Sequence, residues 1–109
     1  MHEEKHSLVN YSRDPRFLAL RSLQTRQGRF RTGLYLIEGT RHVARAVEHH
    51  APIQSLFVEP SVLSNPLGRK LARQLRKSGV PSLQLSRQLY RELTLAAAPQ
   101  GIGAVVRQQ

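Results

Sequence analysis

GLYLIEGTRHVARAV, from Gly33 to Val47, changes its hydrophobic period halfway along. Leu34 to Ile37 form a short apolar run of the kind a buried strand uses. Glu38-Gly39 breaks the run, and Thr40 stands where a helix N-cap belongs. Beyond it Val43, Ala44 and Val47 recur at helical spacing, while Arg41, His42, Arg45 and Glu48 take the other face. A strand that feeds a helix through a glycine turn leaves backbone N–H groups pointing outward, which makes an anion site. Arg41 in the first turn opposes the helix dipole, so it fits a partner better than it fits helix stability. The alternative is an ordinary strand–helix unit with solvent-facing arginines, and this stretch alone does not separate the two.

Outward from this unit the chain alternates helix and strand. Asp14-Pro15 reads as an N-cap followed by a first-turn proline, opening a helix whose stripe is Phe17, Leu20 and Leu23, with Leu18 beside them. Gly28 is read as its end and Arg29 to Gly33 as a basic connector. Ile53 to Val58 reads as the next strand. Ser64 or Asn65 caps a helix from about Pro66 to Ser78, with Leu67, Leu71 and Leu75 inward and Gly79 at its exit. Ser82 to Leu85 is a short strand, and Ser86 caps a helix with Leu89, Tyr90 and Leu93 inward. The small-residue link 96–101 leads to a last strand, Ile102 to Val106, where Gly103 implies close backbone packing. This order predicts a three-layer α/β/α sandwich on a four-stranded, mostly parallel sheet. Residues 1–11 are read as a flexible lead-in and 12–107 as one domain.

Charge is the strongest global clue. Seventeen Lys and Arg face seven acids, for a net charge of +10, and only three of the seventeen are Lys. Arginine forks onto phosphate and stacks on bases, so a basic α/β domain points to nucleic acid. Six arginines against one acid between Arg13 and Arg31 sharpen that reading. Arg69, Lys70, Arg73, Arg76 and Lys77 form the outer face of the third helix; with no acid interleaved it is able to touch RNA at its edge, but a plain solvated face is the preferred reading. The absence of cysteine excludes disulfides and thiolate-bound metals, and no apolar run resembles a signal or membrane span. The cytoplasm is the default location. His49-His50 lack the spacing and companions of a metal site. No phosphate loop and no nucleophile–base pair is present; Glu38, just after a strand, is read as accepting a backbone N–H or pairing with an arginine. No catalytic or metal-binding residue is assigned, and the chain by itself is expected to carry out no chemistry.

The Arg-Asp-Pro-Arg helix, GLYLIEGTRHVARAV, a strand ending FVEP, LSRQLYRELT and PQGIGAVV occur in an order that resembles one family. It is that of the N-terminal substrate-binding domains of SpoU-type RNA 2′-O-ribose methyltransferases, in the SPOUT superfamily with the TrmH-like enzymes. The likeness spans about residues 12–107, and its most specific pieces are the strand-EG-x-R turn at Leu36 to Arg41 and PQGI at Pro99 to Ile102. It implies a fold like the ribosomal kink-turn RNA-binding proteins, a mixed sheet with an antiparallel last strand. It implies that the domain holds RNA, ribosomal RNA ahead of transfer RNA, for methylation by a separate domain. That domain, carrying S-adenosylmethionine, is expected beyond residue 109, so this chain is expected to bind no cofactor itself.

The resemblance makes Arg41 an RNA-contact candidate, with Arg13, Arg16, Arg29 and Arg31 in a region that is basic in the family. Gly39, Pro99, Gln100 and Gly101 match as turn-shaping residues. The isolated domain is expected to be a monomer and the full-length enzyme a homodimer. Three other readings remain open: a stand-alone kink-turn RNA-binding protein, a small enzyme built around Glu38 and Arg41, and a protein-interaction module whose basicity is incidental.

Overall fold

A computed structural model describes residues 6–94 and 96–109. In chain order the elements are β1 (His6–Val9), α1 (Pro15–Ser22), α2 (Arg26–Thr32), β2 (Leu34–Glu38), α3 (Thr40–Glu48), β3 (Ile53–Val58), α4 (Pro66–Lys77), β4 (Ser82–Leu85), α5 (Arg87–Leu93) and β5 (Ile102–Arg107). The sheet has five strands in the order β1-β4-β3-β5-β2. β1, β4 and β3 pair in parallel, and β5 runs antiparallel to both β3 and β2.

Five strands correct the expected four. The extra one, β1, lies in the stretch read as a lead-in and pairs along its length with Ser82–Leu85. Its Val9 is fully buried. The first helix is also two helices. Leu20 and Ser22 carbonyls close a turn onto Leu23 and Thr25, and Thr25 then caps α2 by accepting from the Gly28 N–H. Gly28 therefore sits inside α2 instead of ending a helix. A Cβ there would stand 1.8 Å from the Ser22 carbonyl oxygen, so only glycine lets the two helices meet. The residue that ends α2 is Gly33, at φ 72°.

The side chains of the sheet divide into two cores. One combines Phe17, Leu20 and Leu23 with Leu89, Tyr90 and Leu93 of α5, over Val9, Phe57, Leu85 and Val105. The other combines Val43 of α3 with Leu71 and Ala72 of α4, over Leu56, Val58, Ile102, Ala104 and Val106. Strand alternation explains the split, since Phe57 and Val105 point one way and their neighbours the other. We call these the α1/α5 face and the α3/α4 face. In α4 the buried stripe is Gly68, Leu71 and Ala72, with Leu75 partly buried; Leu67, expected inward, is 49% exposed. The stripe is therefore turned by one residue from the expected leucine row.

β5 occupies the interior of the sheet, and Gly103 shows how tightly. A Cβ at Gly103 would lie 2.2 Å from Phe57 Cζ and 2.7 Å from the Ile37 carbonyl oxygen. β2, by contrast, is an edge strand whose five residues are all half-buried, which corrects the expectation of a buried one. Tyr35 and Ile37 pack toward the α3/α4 core, and Leu34 and Leu36 toward the other.

Candidate nucleic-acid interface

Glu38 ends β2 opposite Gly103, and Val58 ends β3 opposite Ile102 and Gln84, so the motif-bearing turns gather at one end of the sheet. Three sequence-distant pieces interlock there. The Glu38 carboxylate accepts from the Tyr90 hydroxyl at 2.8 Å and from the Gln100 backbone N–H at 2.8 Å. Gln100 returns the favour through its side chain, whose Oε1 accepts from the Thr40 N–H at 2.8 Å. The Gly39 N–H donates to the Ile102 carbonyl, and the Glu59 N–H to the Gly101 carbonyl. Gly101, at φ 83°, leaves room for this; a Cβ would come 2.6 Å from the Leu63 nitrogen.

This lock revises the reading of the α3 N-terminus. Gly39, not Thr40, is the N-cap, and it makes no side-chain cap bond. Gln100 supplies the missing acceptor from sixty residues away. One of the N–H groups available to an anion is thus already satisfied. The Thr40 hydroxyl is buried against Gly68 of α4 with no hydrogen-bond partner. Burial, together with the adjacent Glu38 carboxylate, raises the Tyr90 phenol well above the ordinary tyrosine range. It therefore stays protonated and donates to Glu38.

Arg41 and His42 lie just past the lock, both exposed, on the rim of a depression of about 700 Å³ that also touches Leu36, Glu38, Ala98 and Gln100. Arg41 has no partner among the described residues. Arg13 and Arg31 are likewise exposed and unpartnered among them. Arg16 is committed: Nη2 sits 2.7 Å from Asp14 Oδ2, and that contact pushes the Asp14 carboxyl below its usual range. Arg29 donates through Nη1 to the Leu23 carbonyl at 3.0 Å.

The five candidates do not converge on one patch. Arg13 and Arg16 follow β1 at one edge of the sheet, and Arg41 follows β2 at the other. Four strand spacings of roughly 4.8 Å put about 19 Å between those edges. Arg29 and Arg31 lie on α2, before β2 begins. Sequence reading named the turn residues that meet here but missed Tyr90 as the partner of Glu38. An acid between an apolar strand and a glycine was the available signal that something buried must answer it. Among the described residues no group of His, Asp or Glu could hold a metal ion, and no helix is long and apolar enough to cross a membrane.

The model of the MRM3-like substrate binding domain family matches residues 14–104. No curated protein matches the chain significantly in sequence. Among solved structures, the chain is similar to an rRNA methyltransferase from Sinorhizobium meliloti, at 20% identity and TM-score 0.77 over 96% of this chain and 38% of that one. It is similar to an RNA 2′-O ribose methyltransferase, at 23% identity and TM-score 0.77 over 94% and 38%. The SpoU methyltransferase AviRb from Streptomyces viridochromogenes, in complex with AdoMet, matches at 26% identity and TM-score 0.70 over 88% and 34%. The chain thus spans little more than a third of the length of these proteins.

Proposed function

Because the chain belongs to the MRM3-like substrate binding domain family, we propose that it captures structured RNA for 2′-O-ribose methylation. In this reading the domain covers residues 12–107, grips ribosomal RNA ahead of transfer RNA, and works in the cytoplasm. A separate domain beyond residue 109 supplies the S-adenosylmethionine and the chemistry, and that larger enzyme is a homodimer. The fold is of the kink-turn-binding kind, with Arg13, Arg31 and Arg41 as phosphate contacts. Arg16 and Arg29 add to the local field while held by their own partners.

The observation that carries the reading is Arg41. It stands exposed, with no partner among the described residues, beside a turn that three hydrogen bonds involving Tyr90 and Gln100 hold in place. The backbone that carries this cation is already held, so phosphate binding has only the side chain left to order. Nothing in the reading asks Glu38 to act as a base: its Oε2 accepts from both the Tyr90 phenol and the Gln100 peptide N–H, and those duties are structural.

The test is a titration of the chain with a structured ribosomal RNA fragment over a salt series, beside an Arg13→Ala/Arg31→Ala/Arg41→Ala variant. Lost phosphate contacts flatten the log–log salt dependence by about one each, so a slope shallower by about three is expected. Absence of binding at low salt would overturn the reading. Binding with an unchanged slope in the variant would overturn the assignment of these three residues.

A further inference from the structure

We propose that the outer surface of α3 and α4 is a second RNA-contacting face, one that takes a phosphodiester strand along α4 and a base or ribose in the hollow beside it. This rests on the RNA-capturing reading above and extends it to residues outside the Arg13–Arg41 set.

The charges are unevenly spent. Among the described residues Arg16 pairs with Asp14, Arg21 with Glu92 and Arg87 with Glu59, all cations of other elements. α4 reads PLGRKLARQLRK and has no acid at all, while α3 has only Glu48. Lys70, Arg73 and Lys77 are exposed and have no partner among the described residues. Cations at three- and four-residue spacing on one helix repel each other. A polyanion relieves that repulsion, and water relieves it only in part.

The two helices form one surface. β2 and β3 run parallel to each other, each being antiparallel to β5, so α3 and α4 leave the same end of the sheet in the same direction. They touch where Gly68 of α4 meets Thr40 of α3. A Cβ at Gly68 would stand 2.8 Å from Thr40 Oγ1, so the glycine sets the close approach. The basic side of α4 from Arg69 to Lys77 spans roughly 12 Å at 1.5 Å per residue, with Arg45 on the neighbouring helix.

A second observation gives the surface a shape. A hollow of about 280 Å³ lies between α4 and the end of β3, with Val58, Pro60 and Leu63 as floor and Arg69, Arg73 and Arg76 as wall. Arg69 is held in place by its Nε, which donates to the Leu63 carbonyl at 2.7 Å. An apolar floor under guanidinium groups suits a nucleotide, whose flat base takes the apolar contact and whose phosphate takes the charge. A membrane surface fits less well, because Leu67 is the one exposed large apolar side chain that α4 offers, Leu71 and Ala72 being buried in the core.

The experiment uses the full chain and the same ribosomal RNA fragment, followed by fluorescence anisotropy over a salt series. The variant is Lys70→Gln/Arg73→Gln/Lys77→Gln, with circular dichroism and thermal melting to confirm that it folds. The expected result is a Kd weakened about tenfold or more and a salt slope shallower by about three. A second variant, Arg73→Lys, keeps the charge but not the planar fork, and is expected to retain the slope while losing ultraviolet crosslinking between RNA and the Val58–Leu63 segment. If the parent chain binds and the triple variant keeps both Kd and slope, the α4 proposal is overturned while RNA capture stands. If the parent chain does not bind, both fall. If polyglutamate of matched charge displaces the RNA at equal concentration, the face is a general acidic-partner surface and the proposal is overturned.

Discussion

The α1/α5 face and the α3/α4 face contain the same dominant cation and use it in opposite ways. On α1, Arg16 closes onto Asp14 two residues away, and Arg21 reaches Glu92 on α5 at 3.4 Å. Those arginines fasten the molecule to itself. On α4 the cations meet no acid of their own helix, and among the described residues only Arg69, held by a carbonyl, and Arg76 have contacts within the chain. Counting arginines along a sequence treats the two sets alike. What separates them is the placement of a few acids, and the acid that answers Arg21 is seventy-one residues away.

The two faces meet at the sheet, and the largest expected effect comes from driving them apart there. Gly103→Val places a branched side chain where Phe57 and the Ile37 carbonyl already stand. Overpacking of that kind costs about 3 kcal/mol or more, so thermal melting should fall by more than about 10 °C. A melting point within a few degrees of the parent's would mean the sheet has slack that these contacts deny.

Next in size is Tyr90→Phe, which cuts the α1/α5 face loose from the Glu38 turn. The ring still packs against Phe57 at a centroid distance of 5.8 Å, but the hydrogen bond to a carboxylate is lost, at about 1.5 kcal/mol by urea denaturation. Alkaline pH gives the sign independently. Burial and Glu38 raise the folded phenol's pKa, so its contribution is complete below the unfolded value near 10. As pH rises further, the unfolded chain ionises first and stability falls by roughly 1.4 kcal/mol per unit. Tyr90→Phe should lack that component, and equal alkaline losses in the two proteins would refute the assignment.

Gln100→Ala tests the other half of the tie, the hold on α3. It leaves the Thr40 N–H without its acceptor and should cost about 1 kcal/mol, read as a lowered urea midpoint. The smallest effect sharpens the comparison itself. Glu92→Gln removes a partly exposed ion pair and should change stability by less than about 0.5 kcal/mol. Arg16→Gln/Arg21→Gln should change the RNA salt slope by less than about one, because those cations are already answered. A change as large as that of the α4 variant would erase the distinction between the faces.

Much of the architecture was legible because it is written in local chemistry. Asp14, Asn65 and Ser86 cap their helices as read, each accepting from backbone N–H groups of the first turn. Gly103 announced a crowded interior strand. What escaped is what depends on distance along the chain. β1 is four residues, only Leu8 and Val9 of them apolar, too short for a periodic signal, and its pairing with β4, far downstream, makes it a strand. The break between α1 and α2 hinges on a carbonyl that only a glycine can approach, while glycine in a sequence more often signals a stop. β2 looked fully buried because all four of its leading residues are apolar, yet its outer edge has no neighbour among the described residues. At the site, Glu38, Gly39 and Gln100 were picked out singly; that Gln100 caps α3 and that Tyr90 holds Glu38 are facts of three dimensions.

The position of β5 has a consequence for how the protein is made. Of the five strands of this sheet it is the last to leave the ribosome, yet it fills the gap between β3 and β2. Until residue 107 has emerged, the nascent chain holds β2 without a partner on either side, and β3 has only β4. Native pairing of these long-range strands must wait for the end of translation of this region. A pause before Ile102 has emerged would therefore leave two open apolar edges exposed, whereas a pause after Arg107 has emerged would leave none between them.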